Sequence, residues 1–400
     1  MECIGIFGGS FDPPHIGHIR SAQAAVGALQ LDRLLMVPVC QPPHKALSDG
    51  APTPQQRLEM LGIACQGVDA LQPSDLEISR GGVSYTFETV EAVRDANPDA
   101  EIFLLMGSDM FLAFPNWKHP ESILANASLA VFYRGEKGEK AKAEAQKAAL
   151  EAAGHPVHLI KTDVVDISST QLRRLLAFQC ADAFLPDGVG DYIRQNSLYH
   201  TAADSKNLPM ELLKAVVIRL LKPNRVAHVL GCRDTAVELA KRWGADETDA
   251  ARAGILHDIT KAIDGPLQLT LCREYGKILS DFSCRYPKTL HALTGSLVAE
   301  RIFGENAAVV EAIESHTTGK AAMNMLEKII YVADYMEPNR DFPGVEKLRE
   351  LAFSDMDAAL KLGLEMTLEH LARQGAEVSP ESRQALEYLR TQRNEISLKG

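Results

Sequence analysis

Two histidines three residues apart, His15 and His18, follow a glycine pair, Gly8-Gly9, and an Asp12-Pro13-Pro14 turn. The residues before the glycines, from Ile4, read as a short apolar strand, and those after His15 read as a helix running to about Leu29. A glycine turn that feeds a helix start leaves backbone N–H groups unpaired and aims the positive end of the helix dipole outward, which makes it a phosphate site. On a helical first turn His15 and His18 share one face. Gly17 lets a ligand approach the backbone closely, and two imidazoles over a helix N-terminus suit the charge that builds on a phosphoryl group during transfer. The spacing departs from both common glycine-rich fingerprints: no Lys-Ser/Thr pair completes a P-loop, and Gly5, Gly8 and Gly9 do not form G-x-G-x-x-G.

A second set of residues interrupts apolar helical runs in the other half of the chain: His228, the adjacent pair His257-Asp258, His291, His316 and Asp334. A lone histidine in such a run is ordinarily a satisfied core residue. A His-Asp pair within an apolar helix is harder to bury, because an unpaired carboxylate there is costly. A bound metal resolves that cost.

The elements that must position these residues change character midway. The first half alternates short apolar runs with helical patterns. Leu34–Val39 reads as a second strand ending in a Pro-Pro-His-Lys45 loop that delivers a cation. Thr53 caps a helix with Pro54 at its first position. Leu76–Ser79 reads as a strand, Gly81-Gly82 as a turn, and Ser84–Thr89 opens a helix. Glu101–Met106 is a buried strand with Gly107-Ser108-Asp109 at its carboxyl end, where open α/β sheets bind ligands. Trp117 follows in a loop, and Arg134 ends the strand Leu129–Tyr133. Residues 135–153 read as a solvated helix, and His158–Ile160 as a short strand. From Ile167 a helix starts with Ser168, Ser169 and Thr170 at its N-terminus; these are caps, or they join Arg173 in clamping an anion. Residues 201–209 read as a polar linker between a domain at 1–200 and one at 210–400. Beyond the linker strand alternation vanishes and about seven helices are expected.

Four hundred residues with 46% hydrophobic content allow two packed cores. A net charge of −11 argues against a general nucleic-acid binder. Seven scattered cysteines without a C-x-x-C pair suit a reduced compartment. With no apolar run of membrane length and no leader pattern at Met1, a soluble cytoplasmic protein is expected, with no membrane partner and with room for a homo-oligomer.

The first half carries G-S-F-D-P-P-H-x-G-H, V-P-x-x-x-P-P-H-K, S-Y-T-x-x-T, G-x-D followed by Trp, and I-S-S-T-x-x-R in that order. This series resembles the bacterial nicotinate-nucleotide adenylyltransferases. The resemblance implies a Rossmann-like α/β nucleotidyltransferase domain with a parallel sheet. It also implies the reaction: nicotinate mononucleotide attacks the α-phosphorus of ATP, giving deamido-NAD and pyrophosphate. It gives His15, His18 and Arg173 to the ATP phosphates, bridged by Mg²⁺, with Gly8, Gly9, Ser10, Phe11, Ser169 and Thr170 in the same site. It gives Lys45 and Arg134 to phosphate or mononucleotide contacts. Trp117 is implied to stack on the pyridine ring, the backbone of Tyr85 and Thr86 to receive the nicotinate carboxylate, and Asp109 to hold a ribose hydroxyl.

The second half carries R-V-A-H, L-H-D-I-x-K, L-H-A, S-H-T-T-G and A-D-Y-x-E-P-x-R-x-F-x-G-V. His228, His257-Asp258 and Asp334 match the H…HD…D ligand set of the HD phosphohydrolases. The wider series resembles a bacterial HD-domain family of symmetrical diadenosine tetraphosphate hydrolases, which implies an all-α HD domain that forms two ADP. By that resemblance His291 and His316 serve a second metal, Asp258 bridges, and Lys261 and Arg340 bind phosphate. Such a donor set suits iron foremost, then manganese, cobalt or zinc, better than magnesium. Two metals a few ångströms apart would activate water and steady a phosphate oxygen. The alternatives for this half are a phosphatase of pyridine mononucleotides and a nucleotide-sensing regulatory module.

Overall fold

A computed structural model describes residues 1–42, 51–133, 137–162, 167–201 and 203–397; the side chains of 137 and 393–397 are left aside. The chain divides into two compact units, Met1–Ala203 and Asp204–Gly400. No helix among the described residues is long and apolar enough to cross a membrane.

The first unit runs β1 (Cys3–Gly9), α1 (Ile16–Leu29), β2 (Arg33–Pro38), α2 (Pro54–Ala64), β3 (Leu71–Pro73), α3 (Leu76–Arg80), α4 (Thr86–Ala96), β4 (Glu101–Gly107), α5 (Ser108–Ala113), α6 (Pro120–Asn126), β5 (Ser128–Tyr133), α7 (Lys137–Ala152), β6 (Val157–Lys161), α8 (Ser169–Ala177) and α9 (Val189–Gln195). The six strands form one sheet in the order β3-β2-β1-β4-β5-β6, parallel throughout. This is the expected α/β class. Its central strands read as near-continuous apolar runs because both faces are covered: Ile4, Ile6, Leu104 and Val131 pack on one side, and Leu34, Met36, Phe103 and Leu105 on the other. The strand order reverses between β1 and β4, so the crevice beyond their carboxyl ends is the natural ligand site.

One strand expectation is corrected. Leu76–Ser79 alternates apolar and polar residues, yet it forms the short helix α3. The Ser79 N–H donates to the Asp75 carbonyl at 2.7 Å and its hydroxyl to the Asp75 carboxylate at 2.6 Å, closing a helical turn. Glu77 is buried in that turn and accepts from the Thr89 hydroxyl at 2.7 Å. The edge strand is β3, five residues earlier, paired with Leu34–Met36.

The second unit is all helical among its described residues: α10 (Met210–Leu220), α11 (Val226–Trp243), α12 (Glu247–Leu256), α13 (Gly265–Glu274), α14 (Asp281–Arg285), α15 (Leu290–Arg301), α16 (Ala307–Ser315), α17 (Met325–Met336), α18 (Val345–Ser354), α19 (Met356–Arg373) and α20 (Pro380–Ser397). The helices outnumber the expected seven because caps break the apolar runs closely. Asp246, Asn306, Asn324 and Asp355 each accept a backbone N–H at a helix start. The expected linker is hydrogen-bonded into this unit from Asn207 onward: Asn207 N–H donates to Phe303 O at 2.8 Å, and Arg252 to Leu208 O at 2.9 Å.

Candidate functional site

The first unit holds an open cleft of about 570 Å³ at the β1/β4 reversal, and His15, His18, Gly107, Asp109 and Ser169 line it. His15 is the N-cap of α1, and His18 lies in the helix's first turn. The His15 N–H donates to His18 Nδ1 at 3.1 Å, and the two rings stack with centroids 3.6 Å apart. Because Nδ1 accepts, the neutral His18 ring carries its proton on Nε2. Burial lowers His15 to about 4; burial, with His15 beside it, holds His18 well below the usual histidine value. His15 Nδ1 is buried without a hydrogen-bond partner.

The turn before this helix is pinned from behind. Phe11 is 1% exposed and meets the His18 ring edge-on at 5.0 Å, so a ligand can reach only its backbone, not its side chain. The space over Gly8 is open, whereas a Cβ on Gly9 would stand 3.2 Å from the Phe11 ring. Arg173 donates to the Asp12 carbonyl at 2.7 Å, to its carboxylate at 3.2 Å and to Thr170 Oγ1 at 3.2 Å. Ser169 donates to Pro13 O at 3.4 Å, and Ser168 caps α8. Three residues without an assigned role emerge here. Asp12 also accepts from the Tyr199 hydroxyl at 2.8 Å. Arg57, 0% exposed, donates to Ser10 O at 2.8 Å and to Val39 O at 2.6 Å, tying the loop after β1 to the loop after β2. Their partners lie 18 to 187 residues away, so no local pattern marks them.

Tyr85, Thr86 and Trp117 stand outside the cleft's lining. Tyr85 precedes α4, and Lys118 Nζ sits 3.8 Å from its ring centroid, so the chain neighbour of Trp117 reaches the aromatic at Tyr85. Trp117 is half-buried against Phe114, with centroids 5.5 Å apart. Ser84 accepts from Cys40 N–H and donates its own N–H to Gln41 O, both at 2.9 Å, which fastens this ledge to the loop after β2. Lys45 and Arg134 lie outside the described residues.

Asp109 folds back over Gly107. A Cβ on Gly107 would stand 2.7 Å from Asp109 Oδ1, while its backbone, φ −73°, accepts any residue. Gly107→Ala therefore displaces the carboxylate without straining the chain. If Asp109 holds a ribose hydroxyl, as the resemblance implies, the expected result is a rise of about 10-fold or more in the KM of that nucleotide, the loss of one charge-assisted hydrogen bond. An unchanged KM would remove Asp109 from the site.

In the second unit the six singled-out residues converge. His228 lies in the first turn of α11 and His291 in that of α15; Asp334 lies near the end of α17. His257 and His316 are the C-caps of α12 and α16. Asp258 thus stands just past its helix, not within it as expected, and the turn there lets His257 and Asp258 face the same point. His228 Nε2 is 3.2 Å from Asp334 Oδ1, 3.3 Å from His257 Nε2 and 3.7 Å from Asp258 Oδ2. Asp258 Oδ1 faces the other way, 3.5 Å from His291 Nε2 and 3.8 Å from His316 Nε2. Donors each about 2.1 Å from one ion stand about 3.0–3.5 Å apart, so these separations and this donor set fit metal ions on both sides of Asp258. His228, His257 and Asp334 make one compact group and His257, Asp258 and His316 another.

Each histidine is turned to ligate through Nε2. Nδ1 of His257, His291 and His316 faces the carbonyl of Gly254, Lys288 and Ile313 at 2.7, 2.8 and 2.6 Å. Burial lowers His257 to about 4 and His291 to about 3, which keeps both neutral, the form a metal takes. Cations surround the carboxylates. Arg340 donates to Asp334 Oδ1 at 2.6 Å, Lys261 Nζ lies 2.7 Å from His291 Nε2, and Arg225 bonds to Asp258 Oδ2. Arg225, Thr317, whose hydroxyl lies 3.0 Å from His291 Nε2, and Glu337, 3.1 Å from His228 Nδ1, carry no role in the sequence reading.

Residues 6–175 match the Cytidylyltransferase-like family, and residues 225–339 match the HD domain. The chain is 37% identical over 197 residues to a probable nicotinate-nucleotide adenylyltransferase of Gemmatimonas aurantiaca, covering 49% of this chain and 92% of that one. It is 37% identical over 205 residues to a protein of the same description from Hydrogenovibrio crunogenus, covering 49% and 97%. A solved structure described as a predicted HD superfamily hydrolase involved in NAD metabolism, from Clostridium acetobutylicum, is 35% identical, covers 46% of this chain and 98% of that one, and superposes with a TM-score of 0.45.

Proposed function

The chain belongs, through its first half, to the nicotinate-nucleotide adenylyltransferase family, and on that footing we propose that this half transfers the adenylyl group of ATP to nicotinate mononucleotide. A 5′-phosphate oxygen of the mononucleotide bonds to the α-phosphorus of ATP. The bond from that phosphorus to the β-bridging oxygen breaks, and deamido-NAD and pyrophosphate form. The attacking phosphate is already an anion, so no general base is needed, and positioning with charge neutralisation does the work. The stacked His15–His18 pair over the cleft carries this reading: the Nε2–H of His18 is a donor at the start of α1. Arg173 joins it at the phosphates, Mg²⁺ accompanies ATP, and the ledge at Tyr85, Thr86 and Trp117 receives the pyridine end. The test is the rate ratio of nicotinate to nicotinamide mononucleotide with the full-length protein; a preference for the acid supports the reading, and an amide preference overturns the acceptor assignment.

Charge dictates a pH signature. With His15 at about 4 in the folded protein and near 6.5 unfolded, the unfolded chain binds more protons between those values. Stability from this group is therefore present above about pH 6.5 and lost as pH falls towards 4. A triphosphate against the imidazoles reverses the bias and raises their affinity for protons. ATP binding near pH 6.5 is expected to take up protons, seen as a binding enthalpy that depends on the ionisation enthalpy of the buffer; buffer independence would contradict it.

For the HD half, we propose symmetrical hydrolysis of diadenosine tetraphosphate. Water oxygen bonds to one of the two inner phosphorus atoms, the central P–O–P bridge breaks, and two ADP leave with release of a proton. The support is Asp258, whose two oxygens face separate histidine groups. His228, His257 and Asp334 would hold one metal ion, and His291 and His316 a second, with Asp258 between. The ions would supply charge for the phosphate oxygens and a deprotonated water. Arg225, Lys261 and Arg340 ring the site and suit a polyanion. Assaying the full-length protein on diadenosine tetraphosphate and nicotinate mononucleotide side by side tests this; faster release of phosphate from the mononucleotide would make the half a pyridine-mononucleotide phosphatase.

A further inference from the structure

The two ends of the histidine cluster are not built alike. Three of its histidines rest Nδ1 on backbone carbonyls, but His228 Nδ1 faces a carboxylate, Oε1 of Glu337, at 3.1 Å. Glu337 is 1% exposed. Its other oxygen accepts from the backbone N–H and the side-chain amide of Asn339, both at 2.8 Å. Space for it comes from Gly231 on α11: a Cβ there would collide with Glu337 Oε2 and stand 3.1 Å from Asn339 Nδ2. A buried carboxylate held by this many partners is fixed in place, and it makes the imidazole it touches a stronger ligand.

The charge balance points the same way. The His228 end has two carboxylates of its own, Asp334 and Glu337, against two guanidiniums, Arg340 and Arg225. Among the described residues the His291–His316 end has no carboxylate of its own, and it has the Lys261 ammonium 2.7 Å from His291 Nε2. Asp258 is shared.

We propose that Glu337, seated by Gly231 and Asn339, is a positioning residue that makes the His228 side the tighter of two unequal divalent-cation sites, so that the centre loads in order. This rests on the reading of the cluster as a two-metal centre. The full-length protein, stripped by a chelator, is titrated with Mn²⁺ while free Mn²⁺ is followed by electron paramagnetic resonance. The native protein is expected to show a tight class and a weak class. Glu337→Gln keeps the shape and removes the charge; it is expected to weaken the tight class about 10- to 100-fold and leave the weak class unchanged. Gly231→Ala, which pushes the carboxylate aside, is expected to weaken the same class alone. Circular dichroism melts of the stripped variants separate a metal effect from misfolding; if Glu337→Gln does not fold, Gly231→Ala decides. One uniform class in the native protein, or equal weakening of both classes, overturns the inference while the two-metal reading stands. No Mn²⁺ bound by the native protein overturns that reading, and the inference with it.

Discussion

Asp258→Ala is expected to lower diadenosine tetraphosphate hydrolysis by the full-length protein about a thousandfold, roughly 4 kcal/mol of barrier, and to leave adenylyl transfer within twofold. Asp258 is 1% exposed and presents Oδ2 to His228 and His257 and Oδ1 to His291 and His316. Without it neither side of the cluster keeps the carboxylate the two share, and the guanidinium of Arg225 loses its partner. Removing one partner of a buried ion pair destabilises a fold by about 3–5 kcal/mol, so the isosteric Asp258→Asn belongs beside it. Asparagine retains hydrogen bonds but not the bridging charge, and the expected loss is of similar size. Hydrolysis surviving in a folded Asp258→Asn protein would remove the residue from the centre.

His18→Ala is expected to do the converse, lowering kcat for adenylyl transfer about 10²- to 10³-fold, the usual cost of losing one donor aimed at developing charge, with hydrolysis unchanged. The ring is fixed by His15 N–H at Nδ1, by stacking on His15 and by the edge of Phe11, so its remaining N–H is held in one direction. Such a donor costs no reorganisation as charge shifts, and its removal should fall on kcat more than on the KM for ATP. His18→Asn offers an amide oxygen where Nδ1 stood and removes the distal donor. It should fold and still lose the rate. If His18→Asn retains full rate, the ring serves only to cap α1.

The fold class was legible because each unit states its period locally: apolar runs such as Glu101–Met106 with glycine and polar residues at their ends, then helical runs without alternation. The singled-out site residues that the structure gathers were visible because they break those runs. His257-Asp258 is conspicuous in Gly254-Ile-Leu-His-Asp-Ile, and His15 and His18 follow a glycine turn. What was not legible is what holds them. Arg57 looks like an ordinary polar residue of α2, yet its guanidinium is buried against the carbonyls of Ser10 and Val39. Glu337 follows a helix end, where an acid is ordinarily solvated, and its carboxylate is instead covered by α11 and Asn339. Both are set by contacts across many residues, which periodicity does not encode. The strand reading of Leu76–Ser79 failed for a local reason: one backbone and one side-chain hydrogen bond from Ser79 to Asp75 outweigh alternation over four residues.

On the proposed function, one chain joins an adenylyltransferase to a metal-dependent hydrolase of dinucleoside polyphosphates. The most direct measurement is product analysis: full-length protein of determined metal content is incubated with diadenosine tetraphosphate, and the nucleotides are resolved by ion-exchange chromatography. Two ADP per substrate consumed, abolished by Asp258→Asn, is the expected result. ATP plus AMP, or no turnover by protein carrying two metal ions, would contradict it.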